Sequence, residues 1–181
     1  MPGYLTLNKH LSMEVMEAIF TRRSIRRYSD KIVENTLVDK IIHAAMYAPS
    51  AVNKQPWHFI VFDDPSKKNA IMKFHQNAGM LTEAKKCILI CYDEKLQHNE
   101  GYGVIDCSAA TQNLLLAAHA LELGGCWVGI CPRKARMEAM KQLFELPDHI
   151  VPFSLISLGY PSESKSTPDR IKPERIHYGN W

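Results

Sequence analysis

Apolar residues recur along the chain with two different periods, and the switches between them mark its elements. Val15, Met16, Ile19 and Phe20 share one stripe at helical spacing, which predicts a short helix ending where a run of arginines begins. In ENTLVDKIIHAAMYAPS the same period gathers Leu37, Val38, Ile41, Ile42, Ala45 and Met46, and Pro49 enforces the stop. HFIVFDD and KCILICYDE read as strands, separated by a short helix around Ala70, Ile71 and Phe74. DCSAATQNLLLAAHALELGG predicts a helix that is apolar on nearly every side and closed by its terminal glycines. Such a helix must be covered on most sides, either in a central layer of the domain or against another subunit. CWVGIC follows as a strand, RMEAMKQLFELP as a helix ended by Leu146-Pro147, and VPFSLISLGYP as a last strand. The tail DRIKPERIHYGNW is basic, aromatic and too polar for a core element, so it is expected to wrap the surface.

This mixed α and β pattern contains no repeat or linker, and 181 residues with 46% hydrophobic and 23% charged positions suit one globular domain over 1–181. A net charge of +3, from 22 basic against 19 acidic residues, is too even for a protein that coats nucleic acid by charge alone. No window approaches the roughly 20 apolar residues of a membrane span, and no N-terminal stretch has the pattern of a targeting segment. The five cysteines, Cys87, Cys91, Cys107, Cys126 and Cys131, lie in apolar runs and read as buried reduced thiols. Their spacings pair with no histidine at a zinc-finger interval, so no metal site is expected. A cytoplasmic location follows as the expectation.

Two stretches carry candidate chemistry. TRRSIRRY, residues 21–28, concentrates four arginines and a serine. As a helix it would put Arg22, Arg23, Arg26 and Arg27 on one solvated face. As an extended segment it would put Arg22, Ser24, Arg26 and Tyr28 on one side, and guanidinium forks flanking a hydroxyl suit a phosphate, whose oxygens accept several charge-assisted hydrogen bonds. The β-favouring Ile25 and Tyr28 tilt toward the second geometry. In APSAVNKQPWH, Pro49 and Pro56 bracket a stiffened loop. That loop is either a plain connection into the next strand or a reader of a heterocycle edge, since Asn53 and Gln55 offer donors and acceptors and the small Ser50 and Ala51 admit a flat ring.

Taken with GGCWVGI and LISLGYP, these stretches resemble, in order and over nearly the whole chain, the FMN-dependent nitroreductase family. The resemblance implies a three-layer α/β/α sandwich with a central mainly antiparallel sheet, assembled as a homodimer with FMN at the subunit interface. It implies that Arg22, Arg23 and Ser24 hold the FMN phosphate, with Arg170 and Lys172 completing that site, and that Arg26 reaches the ring near N1 and O2. Pro49, Ser50, Ala51, Asn53 and Gln55 would come from the second subunit, and backbone near Val128 and Gly129 would face N5. The implied activity is hydride transfer from NADH or NADPH through flavin N5 to nitroaromatic or quinone-like acceptors by a ping-pong mechanism, with no side chain as an obligatory acid or base. Reductive dehalogenation or flavin fragmentation is the alternative chemistry of related proteins, and a non-catalytic anion-binding or nucleic-acid-binding module is the alternative of another class. Larger members carry an acidic residue beside a glycine facing N5, whereas CWVGICP holds no carboxylate. The stretch 69–102 is expected to supply the lid and substrate walls. Trp57 and Trp127 are expected to pack, His58, His75 and His119 to be structural or exposed, and Cys126 to be a packed thiol near the flavin.

Overall fold

A computed structural model describes residues 13–181. The first twelve residues, on which the expectation of no targeting segment rests, lie outside the described residues. The elements run α1 (Val15–Thr21), α2 (Asn35–Met46), β1 (Trp57–Phe62), α3 (Pro65–Phe74), β2 (Lys86–Asp93), α4 (Tyr102–Ala120), β3 (Gly124–Gly129), α5 (Lys134–Phe144) and β4 (Ile150–Gly159). The four strands form one sheet in the order β1-β2-β4-β3, with every neighbouring pair antiparallel.

Helices cover both faces of this sheet, as the three-layer expectation required. Successive residues of β2 alternate between two cores. Ile88, Ile90 and Tyr92 pack with Ile41 of α2 and Leu114 of α4, whereas Cys87, Leu89 and Cys91 pack with Ile71 of α3 and Met140 of α5. A strand covered on both faces has no polar side, which is why KCILICY and VPFSLISLG read as continuous apolar runs. Pro152 stands inside central strand β4, where a missing N–H would break the ladder. The register slips there, with Ile90 opposite Ser154 and Cys91 opposite Pro152, so a bulge absorbs the defect. Four of the five thiols are buried and Cys131 is half-buried.

Three expectations change. The glycines read as the close of the long helix belong to β3 instead. Glu122, at φ 62°, takes the left-handed position after α4, while a Cβ on Gly124 would sit 2.7 Å from Ile25 Cβ and one on Gly125 3.0 Å from Leu115. These glycines serve close packing, not helix termination. Second, the stretch 69–102 is not chiefly a lid, because it contains β2, buried in the middle of the sheet. Third, the apolar stripe of α1 finds no core: only Ala18 is buried, and Val15, Met16, Ile19 and Phe20 are all exposed. Met46, at the end of the α2 stripe, is exposed as well.

Candidate functional site

The arginine segment adopts the extended alternative. After α1 ends, Arg22 turns to φ −55°, ψ 128°, Ser24 bridges in parallel to Gly125 on the outer edge of β3, and Ile25 N–H donates to Gly125 O at 3.1 Å. Tyr28 departs from the expected pattern. It does not share a side with Arg22, Ser24 and Arg26, because both Arg26 and Arg27 stay in solvent and a three-residue step from Ile25 turns its ring inward. Its hydroxyl donates to Ile25 O at 2.6 Å and exchanges a 2.8 Å hydrogen bond with Ser157 Oγ, over a floor left open by Gly159. Burial pushes its phenol well above the usual range. Tyr28 therefore braces the segment from beneath.

That brace presents a cluster of like charge. The Arg22 guanidinium is held below its ordinary 12.5 by burial first, then by Arg170 and by Arg23. None of the three guanidiniums makes an ion pair among the described residues, and residues 1–12 contain no carboxylate side chain. Arg23 is partly engaged, with Nε donating to Ser166 O at 3.0 Å and Nη1 to Arg22 O at 2.6 Å. Arg26 is exposed, and its backbone N–H donates to Glu163 Oε1 at 2.6 Å. Arg170 thus joins the cluster from the tail. Lys172 stands at the entrance to the short turn Pro173–Arg175, and no hydrogen bond or ion pair among the described residues ties it to the arginines.

Sequence reasoning missed Lys165 and Glu163. Lys165 Nζ donates to Ser24 O at 2.7 Å and pairs with Glu163 at 3.3 Å, which laces the tail across the arginine segment. Their only signal was the alternating charge of ESK. Cys126 lies beneath: burial raises its thiol, while Arg26, Lys165, a hydrogen bond with Ser24 and Arg22 pull it back. His119 meets the same corner, with Nε2 2.8 Å from Thr21 Oγ1, and it is held below 6.5 by burial first and then by Arg22 and Arg23.

The second stretch forms a strained turn. Val52, Asn53 and Gln55 have φ of 51°, 54° and 48°, a left-handed conformation that a β-branched valine in particular resists. Asn53 N–H closes on Ser50 O at 3.0 Å, Gln55 N–H on Ser50 Oγ at 3.0 Å, and Gln55 Nε2 on Asn53 Oδ1 at 2.7 Å. Pro49 and Pro56 flank it. Asp106 of α4, which sequence reasoning also missed, accepts from Ala51 N–H at 3.0 Å.

In β3, the Val128 side chain is buried in the α3 and α5 core, so only its backbone can face a ligand. The Gly129 carbonyl accepts from His75 Nε2 at 3.0 Å and from Arg136 Nη1 at 2.8 Å. His75 therefore carries its proton on Nε2 and is structural, as expected, and His58 is exposed. Trp57 is buried, and Trp127 packs edge-on against Phe153 at 5.6 Å. Within one chain the two stretches stand apart. The turn is tied to α4 at Asp106 and the arginines at His119, and at 1.5 Å per residue these anchors are about 20 Å apart along the helix.

The family model of the Nitroreductase family matches residues 19–78 and 73–160, from the arginine segment to the end of β4. The chain belongs to the Nitroreductase family. This nitroreductase-family chain is 47% identical over 169 residues to a candidate NADH dehydrogenase/NAD(P)H nitroreductase of Methanothermobacter thermautotrophicus, covering 93% of this chain and 88% of that one. It superposes with a TM-score of 0.88 and 36% identity on the crystal structure of a candidate NADH dehydrogenase/NAD(P)H nitroreductase of Parabacteroides distasonis, covering 92% and 98% of the two chains. The structure of a candidate nitroreductase of Desulfovibrio desulfuricans in complex with FMN matches with a TM-score of 0.81 and 31% identity, covering 93% and 98%. No helix among the described residues is long and apolar enough to cross a membrane.

Proposed function

We propose that this chain is an FMN-dependent NAD(P)H oxidoreductase of the nitroreductase type, one FMN-binding domain over residues 1–181 that works as a homodimer in the cytoplasm. The observation that carries the reading is the gathering of the half-buried Arg22 and Arg23 with the exposed Arg170, without a carboxylate, on one corner of the fold. Like charges held together cost free energy unless an anion joins them, and a terminal phosphate is the dianion that planar forks and the Ser24 hydroxyl accept. The residues present therefore fit FMN. The free thiols, four of five of them buried, agree with a reducing compartment.

Bound FMN supplies the redox chemistry, accepting hydride from NADH or NADPH and delivering electrons to a nitroaromatic or quinone-like acceptor in alternation. The chain's own residues bind and orient. Arg22, Arg23 and Ser24 would hold the phosphate, Arg170 and Lys172 would complete that site, and Lys165 adds a cation that the family pattern did not suggest. Arg26 places positive charge beside the ring, where negative charge develops on reduction. Backbone of Val128 and Gly129 would face the ring's N5 side, with the Gly129 carbonyl held in place by His75 and Arg136.

The amides of Asn53 and Gln55, with Pro49, Ser50 and Ala51, read the ring from the second subunit. Two observations support that assembly. The stretches stand at opposite ends of α4 in one chain, and an antiparallel pairing of two α4 helices would bring each turn to the other chain's arginines. The exposed apolar side chains of α1, with Ile105 of α4 at 62% exposure, supply a face for such a pairing. Titration of the purified protein with FMN should give the visible bands of a bound flavin and two FMN per dimer in sedimentation. Steady-state kinetics with NAD(P)H and a quinone should give parallel lines. A protein that binds no added FMN overturns the reading, and a flavin-loaded monomer removes the inter-subunit site.

A further inference from the structure

Asp106 is only 3% exposed, and its two oxygens are used unequally. Oδ1 accepts the Ala51 N–H at 3.0 Å, whereas Oδ2 is buried with no hydrogen-bond partner among the described residues. Burying a carboxylate with one oxygen idle is expensive, and a serine or asparagine could accept the same N–H at less cost. What the charge adds is strength, since a hydrogen bond to a carboxylate is stronger than one to a neutral oxygen.

The partner of that bond explains the need for strength. Ala51 opens the turn that holds Val52, Asn53 and Gln55 in left-handed conformations. The bonds of Asn53 and Gln55 to Ser50, and of Gln55 to Asn53, shape the turn from within, but none fastens it to the body of the protein. Among the described residues, Asp106 is the side chain outside the turn that does so, and it reaches out from a helix locked to the sheet by the 3.0 Å contact of Thr111 with Ser154. Within the fastened turn, Gln55 Nε2 is spent on Asn53 Oδ1, which leaves Asn53 Nδ2 as a donor and Gln55 Oε1 as an acceptor directed away from their mutual bond.

We propose that Asp106 is a positioning residue: from α4 it locks the strained turn at Ala51, so that Asn53 and Gln55 offer a fixed donor and acceptor pair to the heterocycle of the flavin. This inference rests on the functional reading above and extends it to the ring end of the ligand. The phosphate end, about 20 Å away along α4, is not served by Asp106.

The test uses the full-chain protein stripped of flavin, with Asp106→Leu, which fills the volume without an acceptor, and Asp106→Asn, which keeps one. Asp106→Leu should weaken riboflavin and FMN binding by about tenfold or more and shift the visible bands of the bound flavin. Competition of inorganic phosphate against FMN should stay within about twofold of the parent, within the scatter of independent sites. Asp106→Asn, which keeps an acceptor but not the charge, should recover only part of the flavin affinity. In the flavin-free protein, amide exchange at 51–54 should quicken in Asp106→Leu while α2 and β2 keep their protection. Unchanged exchange at 51–54 in Asp106→Leu overturns the inference without touching the flavin assignment, as does flavin affinity equal to the parent's. Parallel losses of flavin binding, phosphate competition and global protection also overturn it, because they report a fold defect. A parent that binds no flavin overturns the functional reading, and this inference with it.

Discussion

Replacing Arg22 with alanine removes a guanidinium that makes no side-chain hydrogen bond or ion pair among the described residues and is repelled by Arg170 and Arg23. Two consequences of opposite sign follow. In flavin-free protein the loss relieves repulsion, and because Arg22 is only partly buried, solvent screening limits the gain to about 1 kcal/mol at most. For a domain of this size that is an upward shift of no more than about 2–4 °C in Tm. With FMN present the same side chain would be a phosphate ligand, and losing one charge-assisted contact costs roughly 1.5–3 kcal/mol, or about tenfold to a hundredfold in affinity. FMN at 100 times the parent's Kd stabilises the parent by about 2.7 kcal/mol, and a tenfold weaker variant retains about half of that. Melting curves recorded with and without FMN should therefore cross: the variant at least as stable as the parent when empty, less stable when FMN is added. Riboflavin, which lacks the phosphate, should bind parent and variant alike. An Arg22→Ala protein that melts lower when empty and holds FMN as tightly as the parent would refute the reasoning, because it would show a structural arginine and no anion site.

The remaining expectations concern the supports of that site. Gly124→Ala should destabilise the fold by about 1–3 kcal/mol, since the new methyl would stand 2.7 Å from Ile25 Cβ and overpack the contact that carries Ser24; an unchanged Tm would show that Ile25 is free to move and that the bridge does not fix the arginines. His119 is held below 6.5 when folded, so the unfolded chain binds the extra proton first. Stability at this residue is thus present above about pH 6.5 and declines as pH falls from there toward the folded value. His119→Gln, which can keep a donor to Thr21 Oγ1, should flatten this part of the pH–stability curve, and a curve of unchanged slope would count against the assignment.

Much of the fold was legible because its signals are local. The β2 and β4 runs, the α2 stripe and the stop at Leu146-Pro147 depend on neighbours a few residues away, and each element appears within a few residues of its expected place. The glycines at 124 and 125 misled for the opposite reason. A glycine ending a helix and a glycine admitting a neighbour's side chain look alike in one dimension, and only the approach of Ile25 and Leu115 tells them apart. At the site, the residue types in RRSIRRY pointed to an anion and the motif order pointed to the family, but the partners that support it did not show. Asp106, Lys165 and Glu163 carry no spacing signature, since each meets its contact through the folding of segments distant in sequence.

The sequence by itself determined which groups the chain could offer: a concentration of guanidinium with little net charge overall, amides between two prolines, and a long helix apolar on nearly every side. Tertiary structure decided where those groups stand. It chose the extended path for Arg22–Arg26 by pairing Ser24 with Gly125, turned Tyr28 inward against Ser157, carried Arg170 to Arg22 across the length of the chain, and kept the apolar face of α1 out of the chain's own core. The reason is physical. Propensity and periodicity act between residues close along the backbone, whereas like charges are forced together, and a valine is held left-handed, only when packing and hydrogen bonds from remote segments supply the free energy that the local sequence withholds.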